Sequence, residues 1–247
     1  MWLVLKRLSL GIFLIALTAA VLFVSDWKSR KSLQRQGSAK TLASRKTIRV
    51  AVVQHASQPV LNDGVKGMLD GLAEKGFVDG QNLALGKFNA EGDMATANAI
   101  AKNVTGGDYD LVLTASTLSM QSVANANKAG KSLHVFSLVT DPYGAGVGIN
   151  RSNHFDHPRH LAGYGTMQPV ALAFQMARQC RSELKTVGVP WNPSEANSEA
   201  QVKLARQVCQ KLGIELMEAT VDNSSGVFEA VNALISRGST VCGSRSM

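Results

Sequence analysis

DLVLTASTLSMQSVANAN, residues Asp110–Asn127, combines the patterns that decide the fold. Its first residues, Asp110-Leu-Val-Leu, form a short apolar run typical of a buried parallel strand, and Leu118–Asn127 is helical in composition. The turn between them, Thr114–Thr117, consists of small residues, three of which carry hydroxyls. A strand that passes through Ser and Thr into a helix presents free N–H groups and the positive end of the helix dipole, which favours an anion. The same turn suits a plain N-cap, so both interpretations stay open at this point.

The rest of the chain repeats this alternation of strand and helix, which predicts right-handed crossovers and parallel sheets. We expect an α/β fold with two Rossmann-like lobes. Asn62 or Asp63 is expected to cap the helix after the first strand. The predicted strands are Thr47–Gln54, Leu83–Phe88, Asp108–Leu113 and Leu133–Val139 in the first lobe, and Thr186–Pro190 and Ile214–Val221 in the second.

The lobes are predicted at residues 47–141 and 142–238, because the Gly- and Pro-rich segment Thr140–Gly148 is a suitable place to leave the first sheet. Residues 239–247 are polar and without pattern, and we assign them to a tail in which no strand is predicted. The second lobe then holds only two or three strands. It is therefore expected to be incomplete, as in a C-terminally truncated chain.

An apolar N-terminal segment precedes the lobes. Lys6-Arg7 is followed by an uncharged run of 17 residues, Leu8–Val24, near the lower limit for a membrane-spanning helix. Residues 1–27 are expected to be a signal peptide or an uncleaved signal-anchor helix, and both alternatives stay open. Residues 28–46, rich in Ser, Lys, Arg and Gln, are expected to be a flexible basic tether.

The charge distribution excludes a nucleic-acid partner. The chain carries a net charge of +8, but the first 49 residues hold ten of the 26 Lys and Arg residues, opposed by Asp26 alone. Since that segment carries +9, the remainder is close to neutral. The basic character belongs to the leader and tether rather than to a binding face.

Cysteine and histidine spacing gives no strong metal signal. Cys180 and Cys209 fall on predicted helices, where either a disulfide or two separate buried thiols would fit. His154, His157 and His160 recur every third residue around Asp156, but a polar loop with Pro158 favours solvated side chains over a metal site. We expect no metal and no cofactor, since neither GxGxxG nor a Walker motif follows a strand.

Three motifs resemble one known family. Asn89–Asn98 (NAEGDMATAN), Val139–Gly146 (VTDPYGAG) and Trp191–Ser198 (WNPSEANS) are similar to the tryptophan/tyrosine-type substrate-binding proteins of ABC transporters, and the likeness covers about Thr47 to Gly238. The resemblance implies a periplasmic-binding-protein fold of type I that captures an amino-acid-like ligand between two lobes. It also implies that ligand capture closes the lobes and presents the complex to an ABC permease. From the leader, we expect an exported protein that residues 2–27 tether to the inner membrane.

The resemblance also implies a set of contacts for the ligand. Ser116 and Thr117 would bind its carboxylate, Asp141 would bind its ammonium, and Tyr143 or Trp191 could clamp an aromatic ring. The full set of expected ligand-binding residues is Gln54, Ser116, Thr117, Asp141, Asn192, Asn197 and Ser198.

Two other classes of protein share some of these sequence features with a transport protein. A membrane-anchored ectodomain that senses a ligand for a signalling partner would carry the same leader. An enzyme is not expected, because the crevice loops hold no nucleophile elbow and no paired carboxylates; His55 and Asp141 are the nearest to a base and its partner.

Overall fold

The computed structural model describes residues 47–241. The predicted leader, the tether and the end of the tail, residues 242–247, therefore lie outside the described residues. Between residues 47 and 241, no helix combines the length and the apolar character needed to cross a membrane.

The elements of the first sheet in chain order are β1 (Ile48–Gln54), α1 (Pro59–Glu74), β2 (Leu83–Asn89), α2 (Met94–Gly106), β3 (Leu111–Ala115), α3 (Thr117–Ala126), β4 (Leu133–Val139) and β5 (Leu161–Gly165). The five strands lie in the order β2-β1-β3-β4-β5. The pairs β1–β3 and β3–β4 are parallel, as predicted, and β4–β5 is parallel too.

The central strand β1 is buried on both faces, which explains its continuous apolar sequence. Ala51 and Val53 pack in a cluster with Val104 of α2 and Val112 of β3, while Val50 and Val52 are buried as well. Helix α2 begins as predicted at Asp93, whose carboxylate accepts a hydrogen bond from the N–H of Thr96 at 2.6 Å. The strand and the helix start predicted from the apolar pattern and the capping residue are thus confirmed in this region.

The second sheet has three strands in the order β7-β6-β8, and both pairs are parallel. Helices α4 and α5 cover a separate apolar core that includes Phe174, Val187 and Ile214. The elements are α4 (Val170–Cys180), β6 (Thr186–Trp191), α5 (Ala196–Leu212), β7 (Glu215–Thr220), a 3₁₀ turn (Ser224–Gly226), α6 (Val227–Ser236) and β8 (Thr240–Val241).

Two predicted boundaries are wrong. Leu161–Gly165 pairs with β4, so the first sheet extends to Gly165 rather than ending at Asp141. This edge strand escaped prediction because two of its five residues are glycine. The tail prediction is also wrong for Thr240–Val241, which pairs with Val187 and Gly188 of β6.

Other local expectations had mixed outcomes. Helix α1 begins after Gln58 with Pro59 in its first turn, so the predicted caps Asn62 and Asp63 lie inside the helix. Gly213 ends α5 in the left-handed conformation (φ 64°), as its predicted C-cap role requires. Of the two described cysteines, Cys180 is exposed and Cys209 is buried, and no disulfide joins them.

A histidine is buried within the first sheet. His134 of β4 is 1% exposed, and its Nε2 lies 3.0 Å from the hydroxyl of Thr114 on β3. Burial lowers the pKa of His134 to about 4, with a smaller contribution from His160. His134 is therefore neutral in the folded protein at pH 7.

We expect His134 to make stability fall with acidification. Its folded-state pKa lies below its unfolded value, so the unfolded chain binds the extra proton and the free energy of unfolding falls as pH drops from about 6.5 towards 4. At pH 5 the loss relative to pH 7.5 is about 2 kcal/mol for this group alone. Urea denaturation at both pH values measures it.

The control is a pair of variants. His134→Gln should flatten this part of the pH dependence, whereas His157→Gln, at a partly exposed loop position, should keep it. An unchanged pH dependence in His134→Gln would contradict the assignment.

Candidate functional site

The strand order places a natural crevice between β1 and β3. In a sheet of order 2-1-3-4-5, the chain continues to opposite sides after these two strands, and ligands bind at the carboxyl edge there. Gln54, the last residue of β1, pairs with Ala115, the last residue of β3. His55 and Ser116 therefore leave the sheet from neighbouring positions.

A cleft of about 200 Å³ opens at this edge and receives residues from both sheets. The first lobe contributes the loops after β1, β3 and β4 and the segment after β5, and the second lobe contributes the loop and helix after β6. The lining residues are His55, Ala56, Gln58, Val60, Leu61, Ser116, Thr117, Leu118, Leu138, Thr140, Thr166, Gln168, Glu195, Asn197 and Gln201.

Ser116 caps α3 from a strained backbone. Its hydroxyl accepts a hydrogen bond from the N–H of Ser119 at 3.2 Å, which confirms the cap interpretation. Its φ of 118° and ψ of 162° lie in a region that is otherwise almost restricted to glycine. The N–H groups of Thr117 and Leu118, in the first turn, have no acceptor within the helix, so they remain available at the cleft.

Thr117 fixes the first turn of α3 to the end of β4. It is 3% exposed, and its hydroxyl accepts a hydrogen bond from the N–H of Thr140 at 3.4 Å. Leu138, also in the lining, has a φ of 57° and packs against Gly64 of α1, where an added methyl group would displace the Leu138 side chain. The cleft floor therefore carries two strained residues, Ser116 and Leu138.

On the second lobe, a hydrogen-bonded loop presents Glu195. The side-chain amide of Asn192 donates to Glu195 Oε1 and to the carbonyl of Asp222, both at 3.1 Å. Asn192 Oδ1 accepts from the N–H and the hydroxyl of Ser194, while Ser198 Oγ accepts from the N–H of Asn192. Asn197 completes the set by donating its amide to Glu195 Oε2 at 3.2 Å.

The structure brings together three of the seven predicted site residues, Ser116, Thr117 and Asn197, in the lining of the cleft. The other four lie outside that lining. Gln54 donates to the carbonyl of Ala56 and to Asn62 Oδ1 within its own loop. Asn192 and Ser198 support the loop that presents Glu195, and Asp141 belongs to another groove.

Asp141 forms an ion pair with Arg151, and both line a larger, more open groove beside β5. Tyr143 lies in the same groove, where its hydroxyl is 2.6 Å from His154 Nδ1 and its ring stacks under Arg151. Trp191 packs against Arg206, whose guanidinium lies 5.4 Å from the ring centroid. Neither aromatic side chain lines the cleft between the lobes.

The charges at the cleft are few. Burial lowers the pKa of His55 below its usual value, and the carboxylates of Glu195 and Asp93 oppose this shift. The lining holds one carboxylate, Glu195, and neither Lys nor Arg. An anion in this cleft would therefore depend on backbone N–H groups and hydroxyls.

Several lining residues were not predicted from the sequence. Glu195 lies inside the quoted motif Trp191–Ser198, so its carboxylate could have been noticed beside Asn197. Thr166 and Gln168 follow β5, and they were missed with that strand. Gln201 lies one helical turn after Asn197, a spacing that places both on one face of α5.

Two parallel α/β sheets with a cleft at their carboxyl edges define a periplasmic-binding-protein fold of type I. The profile of the family described as ABC transporter substrate binding protein matches residues 49–243. The chain belongs to this family, which confirms the resemblance drawn from its motifs.

Three relatives give the scale of the similarity. A tyrosine-binding protein of Clostridioides difficile is 28% identical over 195 residues, which are 78% of this chain and 55% of that protein. A conserved domain protein of Vibrio cholerae is 30% identical with a TM-score of 0.70, over 78% of this chain and 63% of that one. The ABC domain of Streptococcus pneumoniae in complex with L-Trp is 25% identical with a TM-score of 0.72, over 77% and 63%. The chain thus spans 55–63% of the length of these relatives.

Two substitutions at Ser116 should separate the effect of its N-cap on stability from the effect of its strained backbone. Ser116→Ala loses the cap and keeps the strained φ, so the free energy of unfolding should fall by about 1 kcal/mol. Ser116→Gly tolerates this backbone and still serves as an N-cap, so it should be at least as stable as the wild type. Urea denaturation measures the stability of both variants. A glycine variant less stable than the alanine variant would contradict the claim that the backbone at Ser116 is strained.

Proposed function

We propose that this chain is the solute-binding component of an ABC-type importer and captures a small amino-acid-like ligand in the cleft between its lobes. The observation that carries the proposal is the meeting of both sheets' carboxyl-edge loops with the N-terminus of α3 in one cleft. No chemical step is assigned to the cleft, because hydrogen bonding suffices for capture.

The ligand carboxylate is proposed to lie at the first turn of α3. There the N–H groups of Thr117 and Leu118 and the helix dipole favour a negative charge. The strain at Ser116 supports this assignment, since residues held in such conformations cluster at ligand sites. With no basic side chain in the lining, a single carboxylate suits the cleft better than a multiply charged anion.

The remaining lining suits a small solute with an apolar part. Val60, Leu61, Leu118 and Leu138 give the cleft an apolar portion beside the turn at Ser116. Its volume of about 200 Å³ is below the roughly 300–1,000 Å³ typical of sites for drug-sized ligands. Neither of the aromatic residues expected to clamp a ring is required by this arrangement.

The relatives support the ligand class. One is a tyrosine-binding protein, and another was solved with L-Trp. The present structure has a TM-score of 0.72 to that complex but 0.56 to a ligand-free, open substrate-binding protein of Clostridium difficile at nearly the same identity. This difference supports a closed arrangement of the lobes.

The partner and location follow from the family and stay proposals. An ABC permease would receive the ligand from the closed lobes, outside the cytoplasm. Residues 2–27 would tether the protein to the membrane, which the described residues do not address.

Calorimetric titration of the purified full chain with L-tryptophan and L-tyrosine tests the proposal. Thr117→Pro removes one N–H at the first helical position, which tolerates proline because its N–H has no acceptor within the helix. A charge-assisted hydrogen bond contributes about 1.5–3 kcal/mol, so we expect affinity to fall roughly 10- to 100-fold.

Thr117→Val is the matched control, because it also loses the hydroxyl but keeps the N–H. It should bind at least tenfold more tightly than Thr117→Pro. Equal affinities in the two variants would remove the carboxylate from α3, and the absence of binding by the wild type would refute amino-acid capture.

A further inference from the structure

Two buried polar atoms at the cleft lack a hydrogen-bond partner among the described residues. They are His55 Nδ1, on the loop after β1, and Asn197 Oδ1, in the first turn of α5. A buried polar atom without a partner costs roughly 1–3 kcal/mol. The two residues come from different lobes and line the same cleft, so both are near any ligand held there.

The chemistry of Asn197 fixes which of its atoms is available. Its Nδ2 donates to Glu195 Oε2, and an ionised carboxylate can only accept, so the amide group cannot be reversed. Asn197 Oδ1 therefore turns away from Glu195 as a hydrogen-bond acceptor. Glu195 itself receives one amide hydrogen on each oxygen and keeps capacity for further donors.

His55 adds an acceptor rather than a positive charge. Burial lowers its pKa, so its imidazole is neutral at pH 7 and one ring nitrogen can accept a hydrogen bond. Glu195 faces it from the second lobe. Asp93 faces it from the loop after β2, in which the N–H of Gly92 donates to the carbonyl of His55 beside Glu91.

We propose that Glu195, Asn197 and His55 together form the receptor for a protonated amine of the ligand whose carboxylate lies at α3. This inference rests on the proposed function and names the residues that would distinguish an amino acid from a simple carboxylate. Three acceptors with one net negative charge match the three donors and the positive charge of an ammonium group.

The assignment replaces the ammonium contact expected at Asp141. That carboxylate is engaged by Arg151 and by the N–H of Tyr143, and it lines the groove beside β5. Glu195 provides the negative charge within the cleft itself.

The first test compares two probes on the full chain by calorimetric titration. L-tryptophan carries the ammonium, and indole-3-propionate is the same molecule without it. The wild type should bind L-tryptophan at least tenfold more tightly. Glu195→Gln should lower the affinity for L-tryptophan at least tenfold and change the affinity for indole-3-propionate by less than twofold.

Glu199→Gln is the matched control, since it removes the same charge one turn along α5 at an exposed position outside the cleft lining. It should bind both probes as the wild type does. Equal weakening of both probes by Glu195→Gln would overturn the receptor and leave the proposed function standing. Failure of the wild type to bind L-tryptophan, L-tyrosine and indole-3-propionate alike would refute the proposed function, and the receptor with it.

The second test uses pH to separate ligand contact from a structural role of His55. Protonation would place a positive charge beside the ammonium, so L-tryptophan should bind more weakly at pH 5 than at pH 7. Indole-3-propionate should not, once the protonation of its own carboxylate near pH 5 is subtracted. His55→Gln should abolish this difference between the probes, while His157→Gln, outside the cleft, should retain it. The same pH response for both probes in the wild type would remove His55 from the receptor.

Discussion

The register between β1 and β3 is the constraint on which the cleft depends. Gln54 pairs with Ala115, so the chain leaves both strands at one level of the sheet and continues to opposite sides. A slip by one residue would turn every side chain of β1 to the other face, so Ala51 and Val53 would lose their packing against Val104 and Val112. Core packing within the first sheet thereby holds His55 beside Ser116 without any direct bond between them.

A helix terminus at one end and a single carboxylate at the other give the cleft its polarity. The positive end comes from the first turn of α3, and the negative end comes from Glu195, which Asn192 and Asn197 hold by their amides. Because neither end depends on a flexible cationic side chain, little side-chain entropy is lost when a ligand is captured. The strained conformation of Ser116 is likewise fixed before a ligand binds, because the strand before it and the helix after it impose it.

The sequence predicted the elements whose signals are local and strong. Apolar runs, N-caps and C-caps depend only on residues that are adjacent in the sequence. This is why the sequence predicted β1, β4, the Asp93 cap and the Gly213 C-cap. The edge strand β5 was not, because glycines weaken its pattern and only its pairing with β4 identifies it. The site residues also divide into those with a local sequence signal and those whose contacts depend on the tertiary fold. The turn at Ser116 was found from its own sequence, whereas the engagement of Asp141 by Arg151 depends on how a loop folds back.

The position of Trp191 gives the protein an internal optical reporter. It is the only tryptophan between residues 47 and 241, and it directly precedes Asn192, whose side chain holds Glu195 at the cleft. The guanidinium of Arg206 lies over its ring and is fixed in turn by two hydrogen bonds to Glu218. A ligand that displaces the Asn192 loop would change the surroundings of the indole. The full chain also holds Trp2 and Trp27, so the ligand-dependent part of the emission would report movement of this loop without any attached label.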